Sequence, residues 1–217
     1  MSANFLKLNG DRTEFIVFRR PRDVIDHISL QLDDVTLSPV TSVRDLGVIL
    51  DSSTTLELHV DNIAKTCRFH LRNISRIRKF LSKDACQSLV QATVTARLDY
   101  ANSILYGLPK VQLNKLQKVQ NAAARIITGC GFRDHITPVL INLHWLPVEK
   151  RIEYKMILLT FNALNGHAPE YFCQSLVSPP PRQRREHNNN QLVVPRYRCK
   201  KYGGRSFRVC APELWNR

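Results

Sequence analysis

The chain has 217 residues, with 32 Lys+Arg against 18 Asp+Glu, a formal charge of +14 and 43% hydrophobic residues. That is enough apolar material for a core, and the charge balance favours a polyanionic partner, nucleic acid first. No apolar run nears the roughly 20 residues that span a bilayer and Met1–Gly10 lacks a signal pattern, so no membrane role is expected. The chain reads as intracellular, with nucleus and cytoplasm left open.

From Asn4 to Asp51 the pattern is short and β-like, in runs at Thr13 to Phe18, Ile28 to Leu32, Val35 to Leu37 and Leu46 to Leu50. Arg-Pro-Arg, Asp-Asp and Ser-Pro separate them, and because these are turn residues a small antiparallel sheet is expected. From about Leu56 the period becomes helical, predicting helices near 56–81, 83–106, 110–128 and 147–165 and a shorter one near 169–176. Ser82, Pro109 and Pro147 supply helix starts, while Gly107, Gly129 and Gly166 supply stops. Ser178 to Gln191, SPPPRQRREHNNNQ, holds no apolar residue and reads as a disordered linker or arm. The expected fold class is α+β: a small N-terminal sheet over 1–55, a helical bundle over 56–177, a linker over 178–191 and a basic irregular tail over 192–217.

The helix near 56–81 carries the clearest functional pattern. At 100° per residue, Lys65, Arg68, Arg72, Arg76, Lys79 and Lys83 fall within an arc of about 80°. Ile63, Cys67, Leu71, Ile74, Ile77 and Leu81 fall opposite. The acids Asp61 and Asp84 stand only at the ends, so i,i+4 pairing does not account for the stripe. Such a row can follow a phosphate backbone, or it can be a solvated face of a basic protein. Phe69 at its edge can stack on a base or pack against a neighbouring element. Lys115 and Lys118, with Lys110 and Arg125, add charge on the third helix. Arg182, Arg184 and Arg185 add more in the arm, and Arg196, Arg198, Lys200, Lys201, Arg205 and Arg208, with Tyr197 and Tyr202 among them, in the tail.

Several separated pieces stand in a recognisable order: ARLDYANSILYGLP from Ala96, LQKVQNAAARIITG from Leu116, and HITPVLINLHWLPVEKRIEYK from His135. Together they resemble the region that follows the catalytic palm in reverse transcriptases of non-LTR (LINE-type) retrotransposons of the jockey kind. The resemblance covers essentially the whole chain. It implies the end of a palm, a primer-grip hairpin and a helical thumb with the family's C-terminal extension. Leu6 to Phe15, containing Asn9 and Arg12, looks like the last palm motif, in which the family usually has Lys where Arg12 stands. Arg keeps the charge but is a poor proton donor. Val43 to Asp51, with Leu46 and Gly47, looks like the primer-grip hairpin; Gly47 marks either close approach to nucleic acid or a strand bulge.

Polymerase chemistry requires palm carboxylates that hold two magnesium ions. The only Asp-Asp pair, Asp33-Asp34, follows Gln31-Leu32 and lacks the family's preceding aromatic, so it reads as a turn. The isolated chain is therefore expected not to be an enzyme and to bind no cofactor, magnesium belonging to a palm that precedes this segment in the family. Cys130, His135 and His144 lack a fourth ligand for zinc, and the dispersed glycines form no phosphate-cradling loop. Cys67, Cys86, Cys130, Cys173, Cys199 and Cys210 contain no C-x-x-C pair and read as reduced thiols. Arg97, Asp99, Tyr100 and Asn102 are expected to form a buried hydrogen-bonded network on an apolar helix, with Arg97 or Asn102 answering Asp99. His135, His144 and Trp145 are expected in turns and packing.

Three functions follow as expectations. The first is a truncated reverse-transcriptase-derived protein whose basic helix binds the backbone of a primer–template or RNA duplex. The second is a helical remnant without selected activity, or one with a protein-interaction role. The third is part of an RNA-directed DNA polymerase whose catalytic portion lies upstream.

Overall fold

The computed structural model describes residues 9, 13–18, 28–32, 35–176, 191–199 and 202–217. The fold is mixed α+β, and the chain divides into two compact units, Met1–Asn62 and Ile63–Arg217. Arg12, Asp33, Asp34, the linker residues 178–190, Lys200 and Lys201 lie outside the described residues.

The first unit corrects the expectation of one antiparallel sheet. Its described strands form three separate two-stranded ladders. Strand β1 (Phe15–Ile16) pairs in parallel with β4 (Pro39–Val40), while β2 (Leu30–Leu32) and β3 (Val35–Leu37) are antiparallel. The third ladder is the antiparallel hairpin of β5 (Ser42–Asp45) and β6 (Val48–Asp51). Pro39 opens β4 and brings no N–H to a ladder, which limits how far pairing can extend there. The hairpin turns on Leu46 and Gly47 with φ of 43° and 84°. Positive φ at both central residues suits the right-handed twist of two-residue hairpins, so Gly47 is a turn residue and not a bulge.

The loop after β6 is held by one carboxylate. Asp51 Oδ1 accepts from the N–H groups of Ser53 at 3.1 Å and Thr55 at 2.9 Å, and Oδ2 accepts from Leu56 N–H at 2.6 Å. Thr54 and Leu56 have φ of 52° and 56°, a left-handed backbone that costs a branched or bulky residue energy. Burial pushes the Asp51 carboxyl up, but the donors from Thr55, Leu56 and Ser53 outweigh it and leave its pKa below the ordinary 3.8. Nearby, the buried His59 accepts from Ile49 N–H through Nδ1 at 3.4 Å, and its Nε2 has no partner among the described residues. Burial, then the positive charge of Arg44, lowers its pKa from 6.5 and so favours the neutral ring.

Helix α1 (Glu57–Ile77) buries Val60, Ile63, Ala64, Cys67, Leu71 and Ile74, the i, i+3, i+4 row of an amphipathic helix. The row ends there: Ile77 is 44% exposed, and residues 78–80 tighten into a 3₁₀ turn. Burial, opposed by Arg97, raises the Cys67 thiol to about 11, and all six cysteines are free. Helix α2 (Lys83–Val90) starts on Ser82, whose Oγ accepts from Ala85 N–H at 3.2 Å.

The helix expected over 83–106 is broken. A π-helical stretch at Gln91–Thr95 follows α2, then the short α3 (Ala96–Asp99), then a 3₁₀ turn at Asn102–Leu105. Thr93 Oγ1 donates back to Leu89 O at 2.7 Å, the kind of side-chain competition that bends helices, and Ala101 takes φ of 49°. Asp99 is answered not by its neighbours but by Arg151, at 2.7 Å. Arg97 and Tyr100 are exposed, so only Asn102 of the expected buried network is buried.

Helices α4 (Lys110–Thr128), α5 (Ile136–Asn142), α6 (Val148–Leu164) and α7 (Glu170–Ser175) complete the bundle. Pro109 opens α4 and Gly129, with φ of 74°, ends it. The motif glutamines join α4 to the turn before α6. Gln120 Nε2 donates to Leu146 O at 2.8 Å, and Gln117 Oε1 accepts from Val148 N–H at 2.8 Å, satisfying an orphan donor of α6.

The tail is not irregular. Phe207–Trp215 form α8, which packs on α6 and buries Val209, Cys210, Ala211, Pro212 and Leu214. Leu192 and Asn216 tie its ends together by reciprocal bonds of 2.9 and 2.8 Å. Arg205 donates to Tyr106 O and Ile104 O, both at 3.2 Å. It lies so close to Gly107 that an added Cβ would sit 2.9 Å from its Cγ.

Candidate nucleic-acid interface

Lys65, Arg68, Arg72 and Arg76 all stand exposed on the outer face of α1. The opposite face is filled by Ile63, Cys67, Leu71 and Ile74, which fixes how the helix is rolled. None of the four forms an ion pair with a described residue. The 11 steps from Lys65 to Arg76 rise about 16 Å, a span that takes in several phosphates of one strand at about 3.4 Å of axis each.

Lys79 and Lys83 are exposed too, but not by the geometry expected. Because α1 ends at Ile77, Lys79 lies in the 3₁₀ turn and Lys83 opens α2. Lys79 Nζ sits 4.9 Å from the centre of the Phe80 ring, which is 77% exposed. Phe69 is 57% exposed, and its ring partner is the adjacent His70 at 5.6 Å, not another element. The cationic face is thus flanked by two open aromatic rings, a surface on which bases can stack.

The remaining charges sort by what they touch. On α4, Lys110 and Lys118 are exposed and Lys115 is half-buried. Arg125 closes the following loop, donating to Gly131 O at 3.2 Å and Asp134 O at 3.3 Å, with Phe132 against its guanidinium. In the tail Arg196, Arg198 and Arg208 are exposed, whereas Arg205 is held by carbonyls. Tyr197 packs over Gly203 and Gly204. Asn9 is exposed and accepts from Thr13 Oγ1 through its carbonyl, and Leu46, beside Gly47 at the hairpin tip, is 83% exposed.

Arg78 and Arg151 were not singled out in the sequence; Arg151 answers Asp99. Arg78 donates from Nε to Ile126 O at 2.8 Å, from one Nη to Ile127 O at 3.0 Å and from the other to Leu81 O at 2.9 Å. It thereby caps the carboxyl end of α4, where orphan carbonyls and the helix dipole favour a cation. The signal was present in the helical wheel, which puts Arg78 on the apolar side of α1.

Among the described residues no group of three or more His, Cys, Asp or Glu could hold a metal ion, and no helix is long and apolar enough to cross a membrane. Trp145 is buried, His135 precedes α5 and His144 stands in the turn after it. No family model, curated protein or solved structure matches the chain.

Proposed function

We propose that this chain grips the backbone of a nucleic-acid duplex, an RNA–DNA hybrid or RNA duplex, along the outer face of α1. The observation that carries the reading is the row of Lys65, Arg68, Arg72 and Arg76, exposed and forming no ion pair among the described residues, on a helix anchored by its other face. Contacts of this kind position a duplex without reading its sequence. Lys79, Lys83, Lys115 and Lys118 extend the charge, and Phe69 and Phe80 offer stacking surfaces beside it. The resemblance to non-LTR reverse transcriptases supports a thumb-like role for the helices, with the Leu46–Gly47 tip as a primer-grip-like element and Asn9 and Arg12 in a palm-motif remnant. In this reading the chain binds and does no nucleotidyl transfer.

The test is binding of the purified chain to a labelled RNA–DNA hybrid between 50 and 200 mM salt. Four phosphate contacts predict a slope of log affinity on log salt of about −3.6. A slope near zero would remove the proposal.

A second reading, docking of a protein partner, is favoured by one observation. Tyr154, Ile157, Phe161 and Leu164 form an exposed row on α6, with 57%, 39%, 48% and 41% of their surfaces open. A Phe161→Glu variant that leaves the sedimentation and the protein contacts of the chain unchanged would count against it.

A further inference from the structure

We propose that a cavity in the helical unit receives one unpaired adenine-type base of a nucleic-acid strand. The cavity has a volume of about 300 Å³ and is lined by Asp99, Asn102, His144, Arg151, Tyr154 and Lys155, with Leu146 and Leu158. That is the lower end of the size range of small-molecule sites. Its wall is assembled from three stretches distant in sequence: the turn after α3, the end of α5 and the first turns of α6.

The central observation is Asn102. Its side chain lines the cavity, the residue is only 4% exposed, and Oδ1 has no hydrogen-bond partner. Buried polar side chains are nearly always bonded, so an amide oxygen without a partner among the described residues, on a side chain that lines a cavity, points to a ligand donor that completes it. An amide offers a donor and an acceptor side by side, the complement of the N6 donor and N7 acceptor on an adenine edge.

The rest of the wall is built to hold that amide in place. Arg151 donates to Asp99 Oδ2 at 2.7 Å and to Leu146 O at 2.9 Å, and its guanidinium lies 6.0 Å from the Trp145 ring centre. Its charge is thus committed to the wall. His144 occupies a left-handed position, φ 54°, in a helix ending where His144 N–H bonds Ile141 O at 2.9 Å and Trp145 N–H bonds Leu140 O at 2.8 Å. Glycine is the usual occupant of that place. A histidine kept there puts an imidazole on the cavity wall at the expense of backbone strain. Tyr154, 57% exposed, supplies a ring on which a base can stack, and the exposed Lys155 supplies a cation for the adjoining phosphate. The inference rests on the proposed nucleic-acid function, since it assigns that function a place for an unpaired nucleotide.

Two titrations test it. In the first, adenosine 5′-monophosphate and ribose 5-phosphate are added separately to the isotope-labelled full chain and followed by NMR. In the second, the chain is titrated with a blunt RNA–DNA hybrid and with the same hybrid carrying one unpaired adenosine at an end. The expected result is adenosine monophosphate binding, with ribose phosphate at least tenfold weaker, and at least tenfold tighter binding of the overhang hybrid than of the blunt one. Asn102→Ala and Tyr154→Ala should each abolish both preferences and leave blunt-hybrid affinity unchanged. Tyr154 is open enough that its truncation spares the fold if Asn102→Ala does not. Equal binding of the two hybrids, equal binding of the two phosphates, or Tyr154→Ala behaving as wild type would overturn the proposal. Failure of the blunt hybrid to bind, with adenosine monophosphate still bound through Asn102, would remove the duplex grip while the base site stood.

Discussion

The outer face of α1 and the seams between the helices both carry arginine, and they use it in opposite ways. At the seams Arg78, Arg125, Arg151 and Arg205 each donate to backbone carbonyls: Ile126, Ile127 and Leu81; Gly131 and Asp134; Leu146; Tyr106 and Ile104. On α1, Lys65, Arg68, Arg72 and Arg76 face solvent and form no ion pair with a described acid. A net charge of +14 therefore mixes two populations. One closes loops and helix ends, where a planar guanidinium can satisfy several carbonyls at once. The other is left for a partner, so charge at a given position is a guide to function only once its hydrogen bonds are known.

That contrast can be broken most severely at Arg78. Arg78→Ala strands the carbonyls at the end of α4, and charge-assisted bonds of this kind predict a loss of about 3 kcal/mol in denaturant unfolding of the helical unit. At temperatures where the variant stays folded, its salt slope on the hybrid should match the wild type. A smaller but still clear loss, about 2 kcal/mol, is expected for Asp51→Ala, which frees three backbone donors in a loop already strained at Thr54 and Leu56. The readout is hydrogen exchange across residues 48–56.

Acidification supplies a third test. The His59 pKa is lowered from 6.5 in the fold, so the unfolded chain binds more protons once the pH falls below that value. The stabilising contribution is complete above pH 6.5 and is lost as the pH drops towards the folded value. Protonation of Nδ1 removes the acceptor for Ile49 N–H, so the protection of that amide, corrected for its intrinsic exchange rate, should fall as the pH drops below 6.5. The Asp51 contribution behaves similarly at lower pH: its pKa is depressed, and its stabilisation goes only as pH falls through the folded value. The smallest expected effect is that of Arg72→Ala, which should leave the unfolding midpoint unchanged and reduce the salt slope by about 0.9.

Much of this was legible in the sequence where local chemistry decides the outcome. Pro109 and Gly129 bracket α4, and Pro147 and Gly166 bracket α6 with its C-terminal turn, because ring-fixed φ and left-handed glycine are properties of single residues. The α1 stripe was legible because burial of Ile63, Cys67, Leu71 and Ile74 dictates which residues face out. The break in 83–106 was not, since its left-handed residue is Ala101 and no Gly or Pro announces it. Helix α8 was hidden by its internal Pro212 and by flanking basic residues, although Val209, Cys210, Ala211 and Leu214 are apolar enough to bury. The parallel β1–β4 pair depends on contacts between residues more than twenty positions apart. The helical wheel sets Arg78 apart from the stripe, but the partners of the seam arginines could not be read, because their acceptors are carbonyls, which every residue carries. Asn102 and His144 likewise meet across one cavity only because separate segments pack together.

The most direct test of the account replaces Lys65, Arg68, Arg72 and Arg76 together by Glu and measures hybrid affinity across salt beside the wild type. The account predicts that affinity collapses, that the slope flattens by about 3.6, and that the unfolding midpoint is unchanged. A variant that binds with wild-type affinity and slope would contradict it, and would make the outer face of α1 a solvated surface.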